Sequence, residues 1–237
     1  MTLLFSLLAQ TNMVEPVQAA ALDAQAAVPP LNLWSLSLKG GFIMIPIVLL
    51  SLVTIYIFVE RLLVLRDAAR QDNTFMQRIK DYIHAGDVES ALNLCKKNPT
   101  PVARLIEKGI TRLGRPMNDV LVAIENVGNI EVAKLERRFT WIATTAGGAP
   151  MLGFLGTVTG MVSAFYSMAA ASEAADITTL SSGIYEALVT TVAGLVVGII
   201  ALFAYNYLVS RVNTVVNQLE ASTMEFMDLL NEPANKK

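Results

Sequence analysis

Three stretches of this chain are almost free of charged side chains, and each is long enough to cross a lipid bilayer. Residues 40–59 (GGFIMIPIVLLSLVTIYIFV) are 20 uncharged positions between Lys39 and Glu60. As a helix they span about 30 Å, the thickness of the hydrocarbon layer. Residues 139–172 form a run of 34 without a charge, and residues 177–210 a run of 34 interrupted only by Glu186. Each longer run makes a helix of about 51 Å and overhangs the hydrocarbon by about 20 Å. The expected fold is therefore an all-α integral membrane protein with three transmembrane helices, two of them long and continuing into a cytoplasmic helical bundle.

Composition agrees with that reading and closes off others. Of 237 residues, 54% are apolar and 16% charged, with a mean hydropathy of +0.50 and a net charge of -2. No basic surplus exists of the kind that attraction to nucleic acid requires, so nucleic acid is not an expected partner. One cysteine, Cys95, and one histidine, His84, rule out a disulfide framework and make a Cys/His metal site within one chain untenable. Neither residue enters the chemistry: His84 reads as a solvated residue near a turn and Cys95 as a half-buried thiol.

Lysine and arginine placement sets the expected orientation, because basic residues are retained on the cytoplasmic side. Residues 60–138 carry 14 of them, whereas residues 1–38 and the short link SEAAD (172–176) carry none. The N-terminus is expected outside and the C-terminus in the cytoplasm. The divisions are a periplasmic segment 1–39, a first span 40–60, a cytoplasmic helical domain 61–138, a second span with its extension 139–171, a periplasmic loop 172–177, a third span with its extension 178–210, and a cytoplasmic C-terminal helix 211–237. The opening MTLLFSLLA has the apolar character of a signal-peptide core but no preceding Lys or Arg, so a short interfacial helix before Pro29 and Pro30 is the preferred reading.

Within residues 61–138 the punctuation is clear. Gly86-Asp87, Asn98-Pro99-Thr100-Pro101 and Gly114-Arg115-Pro116 read as breaks, with Asp87 and Thr100 as N-caps and Pro101 at a first helical position. Helices of about 12 to 16 residues fit between them. From Asn118, the spacing of Val120, Ile124, Val127, Ile130 and Leu135 predicts one long helix running toward the second span with little interruption. The tail repeats the pattern at Val212, Val215, Val216, Leu219, Met224, Met227 and Leu230. Arg61 and Arg66, just inside the membrane, are placed to meet anionic headgroups.

Glu186 is the most informative position. It lies about ten residues, or about 15 Å, from Asp176, which puts it near the bilayer midplane. A carboxylate there costs about 2.5 to 3.5 kcal/mol on insertion scales, so it is expected to face protein or a water-filled path and to handle protons. The competing reading is a protonated acid that only fixes helix packing. Small residues surround it: Gly183, Ala187, Thr191, Gly194, Gly198 and Ala201 recur at spacings of three and four, and Gly153, Gly156, Thr157, Gly160 and Ala164 match them in the second span. Such stripes let helix backbones approach closely in lipid. Thr190 shares the side of Glu186, while Thr191 is turned from it by about 140°. Their hydroxyls can support ordered water, or simply bond back to their own helix.

The runs APMLGFLGTVTG (149–160) and GIYEALVTTVAGL (183–195) resemble the paired signature of the ExbB/TolQ/MotA proton-channel family. Three spans and the chain length resemble its ExbB/TolQ branch, ExbB above all. The resemblance implies a non-enzymatic motor subunit with protons as the coupling ion and no other cofactor. It also implies a homopentamer around an ExbD-like single-span protein, which energises a TonB-like transducer for outer-membrane transport. Thr157 and Thr191 correspond in it to lumen-facing hydroxyls and Glu186 to the intramembrane carboxylate, with Thr190 beside them on the proton pathway. Gly153, Gly156, Gly160, Gly183, Gly194 and Gly198 are assigned to helix packing. The alternatives are a TolQ-like subunit of the envelope-maintaining Tol system and a non-conducting scaffold. An intramembrane hydrolase has little support, because apart from Glu186 and tyrosines the uncharged runs contain no titratable group.

Overall fold

The computed structural model describes residues 41–70, 74–170 and 177–231, and these form seven helices and no strand. The readings made above for the N-terminal segment 1–39 and the 172–176 link lie outside the described residues. In chain order the helices are α1 (Met44–Ala68), α2 (Phe75–His84), α3 (Val88–Lys97), α4 (Pro101–Ile110), α5 (Met117–Glu136), α6 (Phe139–Ala170) and α7 (Ile177–Asn231). Three of them, α1, α6 and α7, are long and apolar enough to cross a membrane. Within their most apolar windows only 22%, 22% and 33% of residues are buried in the single chain, so most of that surface is free to meet lipid or other helices.

Helices α6 and α7 run antiparallel in extensive contact, and α1 lies against both. Beyond the apolar zone, the short helices α2–α5 gather around the C-terminal half of α7. Local rules place their ends. Asp87 caps α3 by accepting from the Ser90 N–H at 3.0 Å, and Thr100 caps α4 by accepting from Ala103 at 3.3 Å, with Pro101 in the first turn. Gly86 and Gly114 supply the left-handed turns at φ +74° and +84°. The core of this unit is apolar: Ile79, Ile106, Ile110, Val120, Ile124, Leu219 and Phe226 are buried together. Phe226 packs over Gly109, where an added Cβ would come within 2.5 Å of the ring.

Three sequence expectations change and a fourth is sharpened. The three short helices α2, α3 and α4 have 10 residues each rather than 12 to 16. The long helix expected to run toward the second span with little interruption is α5, and the interruption is a two-residue corner after Glu136: Arg138 takes a left-handed φ of 75°, and α6 starts at Phe139. That conformation costs a non-glycine residue about 1–2 kcal/mol. Arg138 is held there by an ion pair with Glu60 of α1. Glu60 also pairs with Arg61 at 2.8 Å, and Arg61 Nη1 donates to the Lys134 carbonyl at 3.2 Å. Arg61 is thereby buried in a clamp joining α1 to the α5–α6 corner, not presented to headgroups as expected, whereas Arg66 is exposed. Finally, no boundary separates the third span from the tail, because α7 is one helix of 55 residues.

On α5 the buried stripe also departs from the apolar pattern. Val120, Ile124 and Leu135 are buried, but Ile130 is 55% exposed and Glu131 occupies the inward position at 3%. Its carboxylate accepts from Arg104 at 2.5 Å and from Lys134 at 2.7 Å. Burial pushes the Glu131 carboxyl up, but the two cationic partners outweigh it and hold the group below the ordinary glutamate value. Its stabilising contribution is therefore complete above about pH 4.3 and is lost as pH falls from there through the lowered folded value. Thermal melts in detergent are expected to show Glu131→Gln less stable than the native chain at neutral pH, with the gap closing below pH 4. A gap that persists unchanged into acid contradicts this assignment.

Candidate functional site in the membrane helices

The α6–α7 seam is built from backbone meeting backbone. A Cβ on Gly153 would come within 2.9 Å of the Thr190 carbonyl oxygen and 3.2 Å of the Gly194 Cα. One on Gly194 would come within 2.5 Å of the Ala149 carbonyl, and one on Gly198 within 2.5 Å of the Pro150 ring. Toward the other end, Gly160 lies against Ala187 and Gly183 against Ala164 at 2.9 and 2.6 Å by the same measure. A Cβ on Gly156 would overlap the Thr190 hydroxyl. All six glycines singled out in the sequence thus lie in this one seam, where any larger side chain forces the helices apart.

Two polar groups flank the seam on different sides. On one side the Thr157 and Thr191 hydroxyls contact each other across the helices. Thr191 also donates to the Gly153 carbonyl at 3.1 Å, and Thr157 reaches the Gly153 and Ala187 carbonyls at 3.3 and 3.4 Å. On the other side Glu186 opens onto a niche of about 310 Å³, lined by Phe42 and Ile43 from the start of α1, Gly156, Thr159, Gly160 and Ser163 from α6, and Thr190. Thr190 is buried at 2% exposure and donates to its own Ala187 carbonyl at 2.7 Å. Glu186 is exposed in the single chain and makes no hydrogen bond or ion pair with another described residue. The structure therefore brings Thr157 to Thr191 and sets Glu186 and Thr190 on one niche, and Thr190, whose hydroxyl also reaches the Gly153 carbonyl at 3.5 Å, shares its carbonyl acceptors with the Thr157–Thr191 pair.

Glu186 lies level with the start of α1: its Oε1 lies where a Cβ of residue 41 would sit, at the end of α1 remote from the α2–α5 unit. Phe58, near the opposite end of the first apolar stretch, faces the Tyr207 ring at 6.4 Å. The helix between residues 186 and 207 is about 32 Å long, and uncharged residues 161–170 of α6 and 177–185 of α7 continue past the acid on its other side.

Sequence reading missed Thr159 and Ser163, although they stand four apart on the side of α6 that carries Gly156 and Gly160. It also missed Thr54 of α1, whose hydroxyl is buried with no hydrogen-bond partner among the described residues. Cys95 is buried rather than half-buried, and burial together with the nearby Glu107 carboxylate pushes its thiol up to about 12, which makes it inert at neutral pH. Among the described residues no group of His, Cys, Asp or Glu side chains could hold a metal ion.

An all-helical membrane protein whose two longest helices are joined by small residues, with one acid and a hydroxyl pair beside the seam, has the architecture of an ion-conducting helix bundle. The chain belongs to the MotA/TolQ/ExbB proton channel family, whose model matches residues 97–221. It is 32% identical to a putative biopolymer transport protein, ExbB-like 1, of Synechocystis sp., over 73% of this chain and 69% of that protein. A putative ExbB homologue of Methanothermobacter thermautotrophicus is 29% identical over 73% of this chain, which spans 62% of that relative's length. The Tol-Pal system protein TolQ of Haemophilus influenzae is 27% identical over 86% of this chain and 96% of its own.

The seam predicts its own test. Gly156→Val is expected to lower the thermal midpoint and the yield of folded protein from the membrane far more than Gly147→Val, because a Cβ at Gly147 meets nothing within 4 Å. Equal effects of the two would show that the close approach is not what holds α6 to α7.

Proposed function

We propose that this chain is the channel-forming subunit of a proton-driven motor in a bacterial inner membrane, of the ExbB kind. In this reading several copies, five by the family resemblance, form a ring around an ExbD-like single-span protein. Protons moving through the ring drive that partner, and a TonB-like transducer carries the energy onward to outer-membrane transport. The N-terminus is periplasmic, the α2–α5 unit cytoplasmic, and protons are the only coupling species. The observation that carries the reading is Glu186, a carboxylate in an apolar helix with no hydrogen-bond or ion-pair partner among the described residues and an open niche beside it. A packing acid would be hydrogen-bonded to a neighbouring helix within the chain.

The chemistry assigns different tasks to the two polar sides. Glu186 can take and release a proton at the niche beside α1. Thr157 and Thr191 form a patch of hydroxyls about 7.5 Å further along α7, a distance that two or three water molecules bridge. One acid per subunit and no buried base within the span make an incomplete relay, so a second acid from another chain is required to complete it. The exposed apolar faces of α1, α6 and α7 are free to meet such a helix as well as lipid and neighbouring copies.

In reconstituted vesicles with an imposed gradient, Glu186→Gln and the pair Thr157→Val with Thr191→Val are each expected to cut proton flux about tenfold or more while assembly is retained. Flux equal to the native protein in both variants would leave only the scaffold reading standing. A TolQ-like role in the Tol system is the second reading, supported by the longer coverage of the Haemophilus influenzae relative. Co-purification from mild detergent separates the two. An ExbD-like single-span protein is the expected companion, and a TolR-like one would move the chain to the Tol system.

A further inference from the structure

We infer that Gly41 is a positioning residue for Glu186, setting where the carboxylate rests against the first turn of α1. The inference deepens the reading of Glu186 as the proton-handling acid and rests on it. Gly41 lies outside the segment matched by the family model, in a different helix region from the acid, and reaches it only through the fold. Two independent features make it a glycine. Its φ of +62° is left-handed, and its missing Cβ leaves the space that Glu186 Oε1 occupies. Any other side chain at 41 would displace the carboxylate.

The surroundings give that contact its consequence. The first turn of α1 has no side-chain cap; instead the Met44 and Ile45 N–H groups donate to the Gly41 and Phe42 carbonyls at 3.2 and 3.3 Å, which ties the left-handed residue 41 into the start of the helix. The rest of the niche offers no competing charge: Phe42, Ile43, Gly156, Gly160 and the hydroxyls of Thr159, Ser163 and Thr190 make up its wall. Gly41 thus sets how closely the Glu186 carboxylate approaches α1 in a niche whose other described lining residues carry no charge.

The test is a double-substitution cycle in the complete membrane complex, with proton flux into vesicles read by a pH-sensitive dye and folding followed by thermal melts. Gly41→Asn tolerates the left-handed backbone and so keeps the fold, while its Cβ still occupies the carboxylate's place. Gly41→Ala adds backbone strain to the same clash. Both are expected to reduce flux about tenfold, with Gly41→Asn melting within a few degrees of the native protein. Glu186→Asp withdraws the carboxylate by one methylene, so in that background the Gly41→Asn effect is expected to shrink to less than threefold. An unchanged tenfold effect in the Glu186→Asp background, or native flux in Gly41→Asn, overturns the inference. Glu186→Gln that conducts normally would instead overturn the functional reading itself, whatever Gly41 does.

Discussion

Everything in the membrane part follows from how closely α6 and α7 approach. In lipid no hydrophobic force pulls two apolar helices together, so contact must come from dispersion between backbones and from hydrogen bonds to carbonyls. Glycines at 153, 156, 160, 183, 194 and 198 permit it, and the seam they create brings the Thr157 and Thr191 hydroxyls within reach of each other and of the Gly153 carbonyl. The same closeness buries Thr190 and leaves Glu186 no room in the seam, so the acid turns outward toward α1. The division into a hydroxyl side and an acid side is a by-product of packing geometry.

A second constraint sits at the opposite end of the apolar band. Glu60, Arg61, Arg138 and the Lys134 carbonyl tie the end of α1 to the corner between α5 and α6. Charged groups placed there lie at the membrane boundary, where they keep part of their hydration and the desolvation cost is modest. The clamp accounts for the break in the helix at Arg138, and it fixes the depth of α1 relative to its longer neighbours. With α1 set in register, its other end falls beside Glu186.

Much of this was legible in the residues themselves. Charge-free runs marked the three membrane helices, Gly86, Pro101 and Pro116 marked the turns of the short-helix unit, and Asp87 and Thr100 declared themselves as caps. These features are local, and local physics determines them. What escaped was set by tertiary contact. A run of 34 uncharged residues does not say which end overhangs the bilayer, and counting from Asp176 does not reveal that Glu186 lies against the start of the shorter α1. Likewise, the apolar period on α5 pointed to Ile130, yet Glu131 turns inward because Arg104 approaches from another helix. In the candidate site, the glycine spacing revealed a close-packed seam, but the pairing of Thr157 with Thr191 and the opening of Glu186 onto the niche beside α1 depend on contacts between helices, which no single sequence encodes visibly.

The uninterrupted course of α7 has a mechanical implication. A helix of 55 residues is a rod of about 82 Å, carrying the acid near one end and Phe226, wedged over Gly109, near the other. Between those two points lie about 60 Å with neither proline nor helix break to absorb bending. A reorientation of only about 5° at the acid's end therefore sweeps the aromatic wedge by about 5 Å. An event at the acid and the arrangement of the short helices at the far end of α7 are joined through a lever, with no intervening hinge.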